Sequence, residues 1–520
     1  MTITTAKRPA IAALRLTPLA LAAVLLSNEC RADDWRIAPT VTLRETYSDN
    51  LNNQNDTLAR SGFVTDAGPA VSVRKDGRRL KLSANAEYRR FVYQHDDIPN
   101  VHDSETRYQA AMKSELIDDF LFLDGGASRS RQAASAFGPV APNSFSSLNN
   151  IDVRTWSVSP SLRHRFGSTA VVAAQFTRDS VRSDRGDAFG NTTGSSTAIN
   201  AMSGPSFREL GWNLAYNRQE LSSTIGGDSR SQTGNAGLQW RLDPHLNLTA
   251  NAGYDKFEYA AFNQRTKGPS WSLGFMWAPS ARTSVNATFG HRYFGKTGSL
   301  LASHRTRHSS WSLSYSDAIT TTRAQFLLPA TVDTASLIDS MLRTAYPDPA
   351  EREQMVAAYM AASGLPPSLP NTINYLSNRY ARNKHLQAGA LFRGARTDLA
   401  ISVFKDQRNA VSLQQSDSTL LPSQLSTLND NTRQRGASAN ASYKLSSTTR
   451  AQASLYAARI ESIDTGLINN LRQLSLGLNR RFDAKTIGTL DVRHSTGRAG
   501  LFTSEKYHEN ALVATLSVRY

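Results

Sequence analysis

Cysteine is almost absent: the 520 residues include one, Cys30, and it lies in the first thirty positions. A chain with no second thiol holds no intramolecular disulfide and no zinc-thiolate centre, so its stability comes from pairing and packing or from a membrane. Long apolar runs are missing too. After the first thirty residues no stretch approaches the roughly eighteen apolar residues of a membrane-crossing helix, and the hydrophobic fraction is 40%. Phosphate-cradling loops, dinucleotide fingerprints and RNA-binding aromatic motifs do not occur either. Acidic charge is in deficit: 59 Lys and Arg face 43 Asp and Glu, a net +16. The bases are scattered along alternating segments without a reading helix, which argues against nucleic acid as a partner.

What is present begins with a leader. Lys7, Arg8 and Arg15 flank the apolar run Leu16 to Leu26, and Cys30 and Ala32 put small residues three and one before a cut. This pattern is that of a secretory signal peptide over 1–32, cleaved after Ala32. Asn28 and Glu29 make Cys30 a poor lipoprotein site. Without the leader the net charge falls to about +13.

Residues 33–520 alternate with a period of two. Trp35, Ile37, Pro39, Val41 and Leu43 share one face against Arg36, Thr40, Thr42 and Arg44, which leaves no room for a plug domain ahead of the first strand. Phe63 to Val73 alternates up to a tight turn at Asp76-Gly77, and Leu80 to Tyr88 returns. Similar hairpins turn at Phe166-Gly167, Asp243-Pro244, Ala278-Pro279, Ser446-Ser447 and Asp483-Ala484. The last strand has Leu512, Ala514, Leu516, Val518 and Tyr520 on one face and ends on the aromatic. Apolar faces carry Leu, Val and Ala in the middle and Trp, Tyr or Phe at the ends, as a lipid-facing wall with interfacial girdles does. The expected fold is therefore all-β: a transmembrane antiparallel β-barrel of about twenty-two strands, of outer-membrane type. A soluble sandwich or rod would bury those apolar faces against a second sheet.

One segment departs from the rhythm. Between about Leu328 and Tyr375, Asp348 as N-cap, Pro349 at the first helical position and Gly364 as stop predict a helix, and Thr334 to Ala345 a second. By hairpin parity this insert, residues 333–370, is extracellular: it caps the pore or folds into its mouth, or is simply a small solvent-facing helical hairpin packed on neighbouring loops, the reading preferred over a gate.

Catalytic chemistry is not legible. Of ten histidines, His291, His304 and His308 lie near Ser309 and Ser310, yet the spacing selects no nucleophile with base and orienting acid. Asp49, Asn50, Asn52, Asn53, Asn55 and Asp56 offer calcium-type oxygens, as ordinary polar loops also do. No cofactor and no metal is expected. The bases on the polar phase are more informative: Arg36, Arg44, Arg74, Lys81, Arg89, Arg292, Lys444 and Arg450. Lining a water-filled lumen they favour anions, including acidic sugars. Paired with acids such as Asp66 and Glu87, they only fill the interior.

The opening strand, Trp35-Arg36-Ile37-Ala38-Pro39 through Glu45-Thr46-Tyr47-Ser48-Asp49-Asn50, followed by Gly68-Pro69, resembles that of the PEP-CTERM/exosortase-system-associated outer-membrane β-barrel proteins, and the resemblance runs to the aromatic terminus. It implies a Gram-negative outer-membrane protein tied to exopolysaccharide production and the sorting of exported proteins. No catalytic residue follows from it. The expected protein is a non-enzymatic conduit or assembly component. Its expected partners are outer-membrane lipid and lipopolysaccharide, the barrel-assembly machinery, and acidic exopolysaccharide or export-system components. A general or anion-selective porin is the first alternative, and a barrel hydrolase or polysaccharide-modifying enzyme the second. A TonB-dependent transporter needs a plug, which Trp35 opening a strand argues against.

Overall fold

The computed structural model describes residues 35–95, 98–139, 145–147, 149–184, 191–224, 228–259, 266–321, 380–411, 428–499 and 505–520. The expected signal peptide, 1–32, and the expected helical insert, 333–370, lie outside them.

Twenty-two strands follow one another: β1 Trp35–Ser48, β2 Gly62–Asp76, β3 Leu80–Tyr93, β4 Ser104–Ile117, β5 Leu121–Ala133 and β6 Asn150–Phe166. Next come β7 Ala170–Ser183, β8 Thr192–Ser203, β9 Leu210–Ser223, β10 Ser229–Asp243, β11 Leu246–Glu258 and β12 Lys267–Ser280. β13 Thr283–Arg292, β14 Gly295–Arg305, β15 Ser309–Thr321, β16 Tyr380–Arg393 and β17 Thr397–Ala410 follow. β18 Thr432–Lys444, β19 Thr449–Ser462, β20 Ile468–Arg481, β21 Thr486–Arg498 and β22 Lys506–Arg519 complete the set. Each pairs antiparallel with its sequence neighbours, and β22 pairs with β1, with Val41 opposite Val518, Leu43 opposite Leu516 and Tyr47 opposite Leu512. The Tyr520 N–H donates to Pro39 O at 2.9 Å. Closure leaves no sheet edge, which is what lets β-structure cross hydrocarbon, where no water meets an unpaired backbone group. β8 and the end of β15 form where the sequence alternates weakly: a strand held by two neighbours does not need a clean pattern of its own.

The outward phase is apolar and bare. Leu43, Leu214, Trp240, Leu273 and Leu476 are each half exposed or more, an unbroken belt that only lipid would cover. Trp35, Trp277, Trp311 and Tyr443 ring the belt at the end of the short turns, and Tyr47, Tyr216, Tyr254 and Trp271 at the other. Most turns on the periplasmic side are short and most loops on the extracellular side long, the two-residue link between β13 and β14 being an exception. The molecule is thus a large outer-membrane β-barrel.

The opening motif has a physical task in this closure. Asp49 accepts from the Asn510 backbone N–H and its amide Nδ2, both at 2.7 Å. The Asn50 amide donates to His508 O at 2.8 Å and to Gln54 O at 2.7 Å. Ser48 Oγ donates to Glu509 Oε1 at 3.1 Å. Three consecutive residues thus bind the first strand to the last at the extracellular rim. Gly68 is constrained by contact: a Cβ there would lie 1.7 Å from Tyr88 O, so any side chain pushes β2 off β3.

Candidate functional site

The lumen is the site, and its two ends differ in charge. In the extracellular half the inward bases are paired. Arg44 meets Asp66 at 3.4 Å, and Arg89, itself buried, reaches Asp66 at 3.7 Å, Glu87 at 3.6 Å and, closer still, Glu105. Arg493 meets Glu509 at 2.7 Å, and Glu509 also accepts from Ser48 and Ser495. Arg292 clamps Asp255 through two 2.8 Å hydrogen bonds. For Arg44, Arg89 and Arg292 the interior-filling alternative is therefore what the structure contains.

The same half is occupied by folded loop. After β5 the chain turns inward, and Phe137, with no exposed surface, packs in one cluster with Phe404 of β17, Tyr456, Ala458 and Ile460 of β19 and Leu471 of β20. These lie on the far side of the wall. Asn469 Nδ2 donates to Ala136 O at 3.0 Å, and Ser135 Oγ to Asn429 Oδ1 at 3.0 Å. The returning limb puts Phe145 against Phe91, Leu51, Val64 and Ile98 on the near side. Residues 134–139 thus pack against β17, β19 and β20, and residues 145–147 against the opposite group of strands, β2 and β3. The sequence carried a signal for this packing: Ala133 to Ala141 is mostly small and apolar in what parity makes an extracellular loop. Such residues in a loop imply a surface to bury against.

Beside Phe145 lies a cavity of about 380 Å³ lined by Arg44, Arg89, Arg493, Glu105, Asp491 and Phe91 among others. Guanidinium groups, carboxylates, hydroxyls and aromatic faces converge there, a lining suited to polar, hydroxyl-rich molecules. His102, in the loop before β4, joins this assembly: its backbone N–H donates to Phe145 O at 2.9 Å, and its ring Nε2 is buried without a hydrogen-bond partner among the described residues. Burial, then the neighbouring Arg131, lowers its pKa below the ordinary imidazole value.

At the periplasmic end the picture reverses. Arg36, Lys81, Lys444 and Arg450 occupy the inward phase of strand ends beside short turns, joined by Arg163 and Arg241, which the sequence reading passed over. Among the described residues none of these six has an ion-pair partner. Lys444 stands directly opposite Arg450 in register, an arrangement of like charges that destabilises a sheet unless an anion offsets it. Arg74 pairs with Asp76 at 2.8 Å, both exposed.

The histidines and the Asn/Asp-rich loop that the sequence offers for catalysis or metal binding are placed as follows among the described residues. His291 and His304 lie on the outward phase of β13 and β14, and His304 Nδ1 shares a hydrogen bond with Thr283 Oγ1 at 2.9 Å and stands opposite Trp311. Asn50 and Asn52 spend their side-chain oxygens on the backbone N–H groups of Gln54 and Arg60. Among the described residues no group of three His, Cys, Asp or Glu could hold a metal ion.

No family model matches the chain, and no curated protein matches it in sequence. Among solved structures it is similar to the FrpB iron transporter from Neisseria meningitidis (F5-1 variant), at 11% identity over 94% of this chain and 82% of that one, with a TM-score of 0.47. The apoprotein form of that variant gives 10% identity over 94% and 81%, with a TM-score of 0.49. The siderophore receptor PirA from Pseudomonas aeruginosa gives 11% over 94% and 81%, with a TM-score of 0.44. Likeness at this level says nothing about what this barrel carries.

Proposed function

We propose that this barrel is an outer-membrane conduit for an acidic exopolysaccharide, working with an exosortase-type protein-sorting system. The observation that carries this reading is the set of unpaired inward bases at the periplasmic mouth, opposite an extracellular half whose bases are neutralised. A ring of this kind raises the local concentration of polyanion where a chain would come in from the periplasm. Paired charges further out avoid trapping it. The tie to exopolysaccharide and protein sorting rests on the resemblance of the opening strand. The packing of Phe137 and Phe145 inside the lumen favours a second reading, an anion-selective porin for small solutes, because a polymer would have to displace the chain that carries them.

Single-channel conductance of the purified protein in planar bilayers tests both. Anion selectivity that acidic polysaccharide blocks from the periplasmic side, and that Lys81→Glu with Arg450→Glu reverses, is the expected outcome. Anion selectivity indifferent to polymer favours the porin. A barrel that remains silent after deletion of 134–149, or of 333–370, defeats both.

A further inference from the structure

The outward face carries a second set of bases, and its position gives it a partner. Lys405, Arg435 and Arg459 stand side by side in one register row across β17, β18 and β19. Arg433 lies in the row above, and Arg472 of β20 in the row below, opposite Ala457. All five share the phase of Val403, Leu455 and Leu474, which are bare in the lipid-facing belt. β17 runs from turn to loop, so Lys405, two residues past Val403, marks the extracellular edge of that belt. Glu461, opposite Arg433, is the one acid in these rows. None of the five bases forms an ion pair among the described residues, and Arg459 Nε is buried with no hydrogen-bond partner.

The flank formed by β9, β10 and β11, at the same height, is built differently. There Arg218 meets Glu220 at 2.6 Å, Arg230 meets Glu220 at 2.9 Å, and Lys256 meets Glu258 at 2.5 Å. These sit just above the row holding Tyr216 and Tyr254. One flank neutralises itself. The other leaves adjacent like charges at the boundary between hydrocarbon and headgroups, where they repel one another unless an external anion lies over them.

We propose that the β17–β20 face is a binding site for the phosphorylated sugar headgroup of the outer-leaflet glycolipid. Arginine forks are suited to phosphate oxygens, since each presents paired N–H donors to one group. The exposed Leu and Val below the bases receive the acyl chains of the same molecule. One ligand with several phosphates on a sugar and several chains meets both halves of the face at once. The inference depends on the outer-membrane location and not on what passes through the lumen.

The test is glycolipid binding to full-length protein purified from outer membranes and stripped of lipid in detergent, read by native mass spectrometry and by the thermal unfolding midpoint. A lipid A-type glycolipid is expected to bind and raise the midpoint. Arg435→Glu with Arg459→Glu is expected to weaken binding by at least about tenfold, while Arg218→Glu with Lys256→Glu leaves it unchanged. If the first pair fails to fold, as judged by heat-modifiable gel migration, Arg472→Gln replaces it with an expected few-fold loss. Equal binding by both pairs, or equal protection by phosphatidylglycerol vesicles or inorganic phosphate, overturns the proposal.

Discussion

The two ends of the lumen solve the problem of inward charge in opposite ways. In the extracellular half Arg44, Arg89, Arg292 and Arg493 each find a carboxylate, and loops pack apolar residues between them. At the periplasmic mouth Arg36, Lys81, Lys444 and Arg450 lie beside short turns and form no ion pair among the described residues, although Asp76, engaged by Arg74, stands opposite Lys81 in register. Pairing serves stability where the barrel is filled. Unpaired charge costs little where water is plentiful, and it leaves a field free to act on a solute. A residue type therefore has no fixed role along one strand: β3 places Lys81 in the field and Arg89 in the filling.

The sharpest way to break this comparison is to remove one partner at each end. Glu509→Ala takes from buried Arg493 the carboxylate it meets at 2.7 Å, for an expected loss of about 3 kcal/mol. Lys81→Ala is expected to stay within about 0.5 kcal/mol. Urea unfolding of each variant in lipid vesicles compares them directly. Similar losses at both ends would mean that the mouth bases are structural after all.

A smaller effect separates the inward loop from the wall. Phe137→Ala removes a fully buried ring from the cluster on β17, β19 and β20, a local loss of about 3 kcal/mol. The loop can detach without unfolding the strands, so the barrel's own midpoint should move far less. Higher open-channel conductance with an unchanged unfolding midpoint is the expected result. A fall in the midpoint by the whole amount would make the loop part of the wall's cooperative unit.

Much of the wall was legible in the sequence, because the lipid-facing phase alternates and the hairpin turns are short and polar. β8 was not: Thr192 to Ser203 is nearly all small and polar and becomes a strand because β7 and β9 pair with it on both sides. The lumen was half legible. Phase alone put the eight bases inside, yet phase says nothing about partners several strands away, such as Asp255 for Arg292 two strands back. Helix signals over 333–370 make that insert the constriction the sequence predicts, whereas 134–139 and 145–147 carry no periodicity that marks them as filling the lumen. Long-range contact, not local pattern, puts Phe137 and Phe145 inside the lumen.

The finest difference between the halves is their response to pH. His102 lies where Phe145 docks, with its ring buried and its pKa lowered. A base with a lowered folded pKa binds its proton more readily once its loop opens, so the packed form is favoured above the ordinary imidazole value of about 6.5 and loses ground as pH falls below it. Arg131 opposes the proton, while Asp152, Glu105 and Asp184 favour it, and burial outweighs them. Amide exchange at Phe145 and His102 should therefore quicken between about pH 7.5 and about pH 5.5, and conductance should rise with it. His102→Gln should remove the pH step in both readouts while leaving the selectivity set at the periplasmic mouth untouched. A step that persists in that variant would move its origin to the carboxylates of the paired wall and erase the distinction between inward loop and wall.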